Sequence, residues 1–413
     1  MKPLLLNTFD ANGGAAIATY RLHQGLRNIG VDSELLVQTK STSDPHVLQA
    51  KNWHPALMQL APNLDKFPLR FYKNYRHRPF SPAIFPEQLA GQIKAIDPDI
   101  VHLFWVTAGF LKPETLAKLN KPIVWTLHDM WAFTGGCHYD EECGRYQQNC
   151  GMCPLLGSEK AEDLSRRLWQ RKLEAWKHVP ITVVATSKWL ANCAQASSLF
   201  SHQRIEVLPN GLDMDKYKPI DKAAARQAFN LPQDKKLILV SAFGVVDDPR
   251  KGLHFLMPAL EQLSQDARGK NVELVVLGAG SSAKPANLNM HIHYINRLHD
   301  EISQVLLYSA VDVLVAPSMQ ENLANTVVEA MACGAPVVAF DIGGMPDMIT
   351  HQKSGYLAKP FEVGDLANGI SFVLNNDVLY PQLSQTARES AVNQYAVSKV
   401  AASYQNLYQD ILK

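Results

Sequence analysis

The sequence predicts an α/β protein made of two doubly wound parallel-sheet domains. Three observations carry that prediction. At 413 residues the chain is too long for one ordinary core. Short apolar runs alternate with amphipathic stretches, the pattern of a parallel sheet covered on both faces. The alternation stops in turn chemistry at Pro209–Asn210–Gly211 and then begins again.

In the first series the apolar runs Pro3–Asn7, Glu34–Gln38, Ile100–Phe104, Ile123–Thr126, Thr182–Ala185 and Arg204–Leu208 are expected strands. Helices are expected over Ala15–Asn28, Pro113–Leu119 and Ala161–Lys177. The second series has strands at Leu237–Val240, Val272–Leu277, His291–Tyr294, Val311–Ala316 and Pro336–Phe340. Its helices are Leu253–Ser264, Asp300–Ser309 and Thr326–Cys333. Ser398–Leu412 places Val400, Tyr404, Leu407 and Ile411 at helical spacing. These patterns give a first domain over 1–208, a second over 209–390, and a segment 391–413 whose helix returns to the first. Sheets of this kind bind ligands beyond their strand C-termini, so a central cleft faced by both domains is expected.

Lys+Arg is 40 and Asp+Glu is 39, which gives no electrostatic reason to expect a nucleic-acid partner. The opening MKPLLLNTFD is too short for a signal-peptide core, and no run approaches the ~18 apolar residues of a membrane span. The chain is therefore expected in the cytoplasm, with its six cysteines reduced or metal-bound.

The densest signal is the run Ala316 to Pro336. A buried strand enters a polar loop carrying Glu321, and a short helix follows, closed by Gly334 and Pro336. Bare N–H groups at that helix start would form a phosphate seat. Glu329 has a purely structural alternative, because Thr326-x-x-Glu329 spells a capping box. Three other loops follow strands. Gly13–Gly14 allows close backbone approach to a ligand, or is a plain turn. His128–Asp129 offers an imidazole donor, or a histidine capped by its neighbour. Phe243–Gly252 carries Arg250 and Lys251, and Lys251 can neutralise a diphosphate. Gly278–Ala279–Gly280 is a weaker glycine-rich turn.

The segment from Glu321 to Glu329, with seven residues between the acids, resembles the donor-site motif of glycosyltransferase family 4. Those enzymes have the GT-B fold, two Rossmann-like domains, and retain anomeric configuration. The resemblance implies that Glu321 binds hydroxyls of the transferred sugar and Glu329 those of the nucleotide ribose. Leu323, Ala324, Asn325 and Thr326 would hold the diphosphate. It gives Lys251 the phosphate-binding lysine, His128 a sugar contact, and Gly13–Gly14 a place between donor phosphate and acceptor. Gly278 and Asn296–Arg297–Leu298 would lie near the nucleotide. One position departs from the pattern: Val245 stands where many members carry an arginine, so Arg250 would have to substitute or be merely solvated.

Cys137, Cys143, Cys150 and Cys153 fall within seventeen residues, in an insertion spanning 134–154. Four thiolates at this spacing could hold a structural zinc; the alternative is reduced thiols packed in a loop, and a redox CxxC lacks its usual surroundings. The stretch from Asp129 to Cys137 resembles family members of bacterial exopolysaccharide pathways, the colanic-acid type, which implies a lipid-linked oligosaccharide acceptor. Lys66–Arg78 mixes basic and aromatic residues and could touch anionic head groups, or be a solvated loop with its aromatics packed beneath.

The expected function is retaining transfer of a sugar from a nucleotide-sugar donor to a saccharide acceptor. UDP is favoured as the base, with GDP the alternative. No cofactor or catalytic metal is required, since Asp213-Met-Asp215 lies in the linker and no other DxD offers itself. A nucleotide-sugar epimerase of the same architecture and an inactive sugar-nucleotide scaffold are the competing functions.

Overall fold

The computed structural model describes residues 1–51, 55–241, 248–265, 271–278 and 288–413. It divides into two compact units, Met1–Gly211 with Val397–Lys413, and Leu212–Ala396.

In the first unit β1 (Pro3–Phe9) feeds α1 (Gly14–Asn28), followed by β2 (Glu34–Thr39) and β3 (Val47–Gln49). Helices α2 (Pro55–Asp65) and α3 (Leu89–Ile96) precede β4 (Ile100–Leu103) and β5 (Ile123–Leu127). Then come α4 (Leu164–Trp176), β6 (Ile181–Ala185), α5 (Lys188–Ala196) and β7 (Arg204–Val207). All seven strands are parallel, in the order β3-β2-β1-β4-β5-β6-β7. This explains the run Leu4–Leu5–Leu6. Leu4 and Leu6 enter one apolar layer and Leu5 the other, so a strand covered on both faces reads as continuously apolar.

The second unit begins with α6 (Lys222–Ala228), β8 (Lys236–Ser241), α7 (Leu253–Gln265), β9 (Val272–Leu277) and β10 (Ile292–Ile295). It continues with α8 (Glu301–Ala310), β11 (Val313–Ala316), α9 (Asn325–Ala332), β12 (Val337–Phe340), α10 (Met345–Met348) and β13 (Gly355–Ala358), and ends in α11 (Val363–Leu374) and α12 (Tyr380–Tyr395). The order is β10-β9-β8-β11-β12-β13, again parallel. Layers of aliphatic side chains cover both faces.

After Ala396 the chain rejoins the first unit as α13 (Val397–Ile411). Val400, Tyr404, Leu407 and Tyr408 bury against Leu5, Leu22 and Leu26. Gly25 lets α1 approach, since a Cβ there would stand 2.8 Å from Val397 Cγ2. The Tyr404 hydroxyl meets Thr126 Oγ1 at 2.9 Å and the Tyr408 hydroxyl meets His102 Nδ1 at 2.5 Å, tying the helix to the sheet by polar contacts as well.

Several local expectations change. Pro113–Leu119 forms a 3₁₀ helix over Pro113–Lys118, not an α-helix. The helix expected from Ala161 starts at Leu164, because the Asp163 carboxylate accepts from Arg166 N at 3.0 Å and caps it there. Strands β3 and β13 add edges that the sequence pattern does not announce: β3 is three residues long, and β13 is only partly buried.

Candidate functional site

In the second sheet the strand order reverses between β8 and β11. Connections leave that point in opposite directions, the place beyond the strand C-termini where such sheets bind ligands. The loop after β8 ends in a short 3₁₀ helix, Pro249–Lys251, and the loop after β11 carries Glu321. The two meet. Lys251 Nζ donates to Glu321 Oε2 at 2.5 Å, and the Ser318 hydroxyl reaches the same oxygen at 3.4 Å.

Two glycines permit this approach. A Cβ on Gly252 (φ +72°) would stand 1.8 Å from the Pro317 carbonyl oxygen. A Cβ on Gly343 (φ +53°) would stand 2.1 Å from the Glu321 carbonyl oxygen, and Gly344 N donates to that same oxygen at 3.0 Å. The Arg250 carbonyl, which accepts from Met319 N at 2.6 Å, fastens the loops together. Glu321 is buried. Burial by itself would raise its carboxyl, but the Lys251 ammonium and then Arg250 outweigh that and hold it below the usual range. Arg250 Nη2 is engaged by Asp248 Oδ2 at 2.6 Å, which ties it down as a local partner of the loop.

Helix α9 starts at Asn325 with Ala324 at its N-cap, and no side chain caps it. The Thr326–Glu329 capping box is not what closes this helix. The positive end of the helix dipole thus lies at Leu323–Thr326 without a side-chain cap. The C-terminus closes as the sequence indicates. Gly334 (φ +79°) donates to Met331 O at 3.0 Å and Ala335 to Ala330 O at 2.9 Å, a Schellman pair. Glu329 is buried and accepts from the Tyr308 hydroxyl at 3.0 Å. Gly278 ends β9 with φ +81° and donates to Ile295 O at 2.8 Å. Phe243–Asp247, including Val245, and Ala279–Gly280 lie outside the described residues.

In the first unit Gly13 (φ +94°) is the N-cap of α1, again without a side-chain cap, and the 11–14 loop is exposed. His128 follows β5 and lies against the Phe104 ring, centroids 5.9 Å apart. Burial pushes its imidazole down to about 4, against the opposing charge of Asp129, so it is neutral at pH 7. Asp129 turns to other partners. It accepts from Trp105 Nε1 at 2.9 Å, from His138 Nδ1 at 2.5 Å and from Trp131 N at 2.8 Å. His138 Nε2 in turn meets Ser81 Oγ at 2.9 Å. Trp105 also joins β1: its N donates to Asn7 Oδ1 at 2.9 Å, and its carbonyl accepts from Thr8 N at 2.8 Å. The mouths of β1, β4 and β5 are thereby locked by one tryptophan. Sequence reasoning missed Trp105 and His138; the available signal was a polar-tipped aromatic directly after an apolar strand.

The four cysteines of the insertion line one void of about 10 Å³. Burial pushes the Cys150 thiol to about 12, Cys153 to about 11 and Cys137 well above its ordinary value, which removes the thiolate a redox CxxC needs. Zinc thiolates at about 2.3 Å imply sulfurs roughly 3.8 Å apart. Among the described residues, the group of three ligand atoms within 4.8 Å of one another is Glu273, His291 and His293, and no such set of cysteines occurs. The expected zinc site is therefore not preformed. Beside it lies Lys172, a feature the sequence did not signal. This fully buried lysine sits 3.8 Å from the Trp131 ring centroid and donates to the Trp131 and Thr134 carbonyls.

Two family models match this chain. "Glycosyltransferase Family 4" matches residues 12–216 and "Glycosyl transferases group 1" residues 221–390. A D-inositol 3-phosphate glycosyltransferase of Catenulispora acidiphila is 30% identical over 218 residues, half of each chain. The phosphatidyl-myo-inositol mannosyltransferase of Mycobacterium leprae is 27% identical over 80% of this chain and 78% of its own. The chain spans about half the length of the first of these relatives. Among solved structures, Anabaena HepE in complex with UDP superposes with a TM-score of 0.68 at 18% identity, covering 99% of this chain and 100% of that one, which supports the fold.

Proposed function

The chain belongs to the glycosyltransferases of family 4 and group 1, and from that premise we propose that it transfers a sugar from a nucleotide-sugar donor to a saccharide acceptor with retention of configuration. The observation that carries this is the Lys251–Glu321 pair at the reversal point of the second sheet, beside the uncapped start of α9. An ammonium and the positive end of a helix dipole suit a leaving diphosphate. A buried carboxylate held ionised suits sugar hydroxyls, to which it presents only acceptors.

In this reading the second unit binds the nucleotide-sugar. Lys251 and the Leu323–Thr326 amides stabilise the diphosphate, Glu321 orients the sugar, and Glu329 and Gly278 serve the nucleoside. The first unit is the acceptor side. His128, neutral at pH 7, can donate to a sugar hydroxyl, and Gly13–Gly14 admits close approach of substrate. The donor's own phosphate oxygen takes the acceptor proton, so the protein supplies position and charge, and no cofactor or catalytic metal is assigned a step. The UDP bound by HepE supports UDP as the base, and the phosphatidylinositol acceptor named for the mycobacterial relative supports a lipid-linked acceptor, here of a surface-polysaccharide pathway.

A membrane-facing acceptor fits one surface of the first unit. Leu60, Leu64, Phe67 and Phe71 are 50%, 43%, 49% and 74% exposed, and Lys66, Arg70 and Lys73 stand among them. Tyr72 and Tyr75 pack inward. We assign this patch a peripheral, reversible contact with anionic lipid at the cytoplasmic face of the cell membrane. No helix among the described residues is long and apolar enough to cross a membrane. For the cysteines the proposal is a structural zinc that draws the four sulfurs around the void they line. Metal analysis of the purified protein decides it, and zinc bound with no loss on Cys150→Ser would reject it.

The testing experiment is a thermal-shift screen of UDP-, GDP- and ADP-sugars followed by a transfer assay. A UDP-sugar should raise the melting temperature most, by mass action. A response to GDP-sugars alone overturns the base, and donor binding without transfer to any saccharide overturns the enzyme.

A further inference from the structure

We propose that Glu273, His291 and His293 form a binding site for a divalent late transition-metal ion at the edge of the second unit's sheet. Strand β10 is the edge strand, and it pairs in parallel with β9, Ile292 opposite Leu274 and His293 opposite Val275. Side chains on a strand alternate between faces, so His291 and His293 share one face. The same register puts Glu273 on that face, beside His291. One ligand atom from each of the three lies within 4.8 Å of the other two. His293 Nε2 is 2.6 Å from Glu273 Oε2, and the two imidazole rings stand 4.6 Å apart, edge to face.

The competing explanation is a histidine–glutamate hydrogen bond on an edge strand, where polar side chains commonly discourage pairing with other chains. That accounts for two groups and leaves the third idle. His291 is exposed, yet its ring is turned into reach of the pair. Two imidazoles and a carboxylate are a donor set for Zn²⁺, Co²⁺ or Ni²⁺, and a poor one for Mg²⁺ or Ca²⁺, which take oxygen ligands. Three protein ligands on an open sheet edge leave at least one position for water.

The location defines the role. Glu273 is the second residue of β9 and His291 directly precedes β10, so the cluster sits at the strand N-termini. Lys251 and Glu321 follow the C-termini of strands in the same parallel sheet, at its opposite end. The ion would therefore staple the edge strand to β9, and turnover would not depend on it.

The test is titration of the full chain, stripped by a chelator, with Co²⁺ and with Zn²⁺. Cobalt should give the visible bands of nitrogen and oxygen ligation, and these should persist when Cys150→Ser removes any sulfur charge transfer; Zn²⁺ should raise the melting temperature. Outer-shell partners alone are worth about 10–100-fold in affinity, so His291→Ala and His293→Ala should each weaken binding by at least about tenfold. Cys150→Ser should leave it unchanged. His291 is exposed, so His291→Ala should keep the metal-free melting temperature. Affinity unchanged by either histidine variant overturns the site, as does a cobalt spectrum lost entirely in Cys150→Ser, or no binding by the wild type. Sugar transfer should be indifferent to both histidine variants, so its failure and the failure of the metal site are read separately.

Discussion

The strand mouths of the two units solve different electrostatic problems. In the second unit a formal cation and anion meet, Lys251 on Glu321, with an uncapped helix start nearby. In the first unit the mouth of β5 has a neutral imidazole, His128, and an aspartate already consumed by Trp105, His138 and Trp131. A lysine that shares its charge with one glutamate can be drawn to a diphosphate. An aspartate with three donors cannot be drawn anywhere. The difference teaches that the charged pair can be re-partnered while the aspartate of the first unit is part of a fixed hydrogen-bonded lock.

The most direct way to break that comparison is Glu321→Gln. It removes the anion while keeping shape, and turnover should fall by about 10²–10³ or more with UDP binding retained. Unchanged turnover would show that the pair is a structural ion pair. Lys251→Ala should weaken UDP by about 1.5–3 kcal/mol, the range of a charge-assisted hydrogen bond, measured by calorimetry. An unaltered affinity would move the diphosphate elsewhere.

Acid should separate the units. Burial holds His23 and His128 near 4 and His102 well below its ordinary value, all in the first unit. Unfolded imidazoles take protons below about 6.5 and these folded ones do not, so stability falls as pH drops from about 6.5 towards 4. Asp129 and Glu321 have depressed values, so their contribution is present above the ordinary carboxyl range and is lost only below about 4. For His23 alone the loss is on the order of 3 kcal/mol. All 7 tryptophans lie between positions 53 and 189, so their fluorescence reports the first unit alone. His23→Gln, which takes no proton, should move the acid midpoint down; a midpoint that stays put would remove the histidine account. The smallest effect is at the surface. Phe67→Ser with Phe71→Ser should reduce sedimentation with vesicles containing anionic lipid while leaving melting within about 0.5 kcal/mol, and undiminished sedimentation would exclude this patch.

What was legible in the sequence was what short-range chemistry enforces. Leu4–Leu6 declares a strand buried on both faces, Gly334 declares a helix end, and the restart after Gly211 declares a second sheet. Local patterns also misled. Thr326-x-x-Glu329 spells a capping box, but the helix begins one residue earlier and Tyr308, eighteen residues upstream of Thr326, takes the glutamate. Pro113–Leu119 has helical spacing, yet only a 3₁₀ turn forms. Edge strands β3 and β13 were illegible because a few residues, partly exposed, carry too little periodicity to read.

By itself, then, the sequence determined the alternation of strands and helices, the two-sheet plan, and the residue types gathered at the strand ends, because hydrophobic period and turn chemistry act over a few positions. Only the tertiary structure decided partners. Glu321 meets a lysine seventy residues earlier because parallel order places β8 beside β11. Trp105 and His138 close around Asp129 because three strands end together. Glu273 joins two histidines because β9 and β10 pair in one register and no other. Such meetings depend on which strands are neighbours, and no local spacing encodes that.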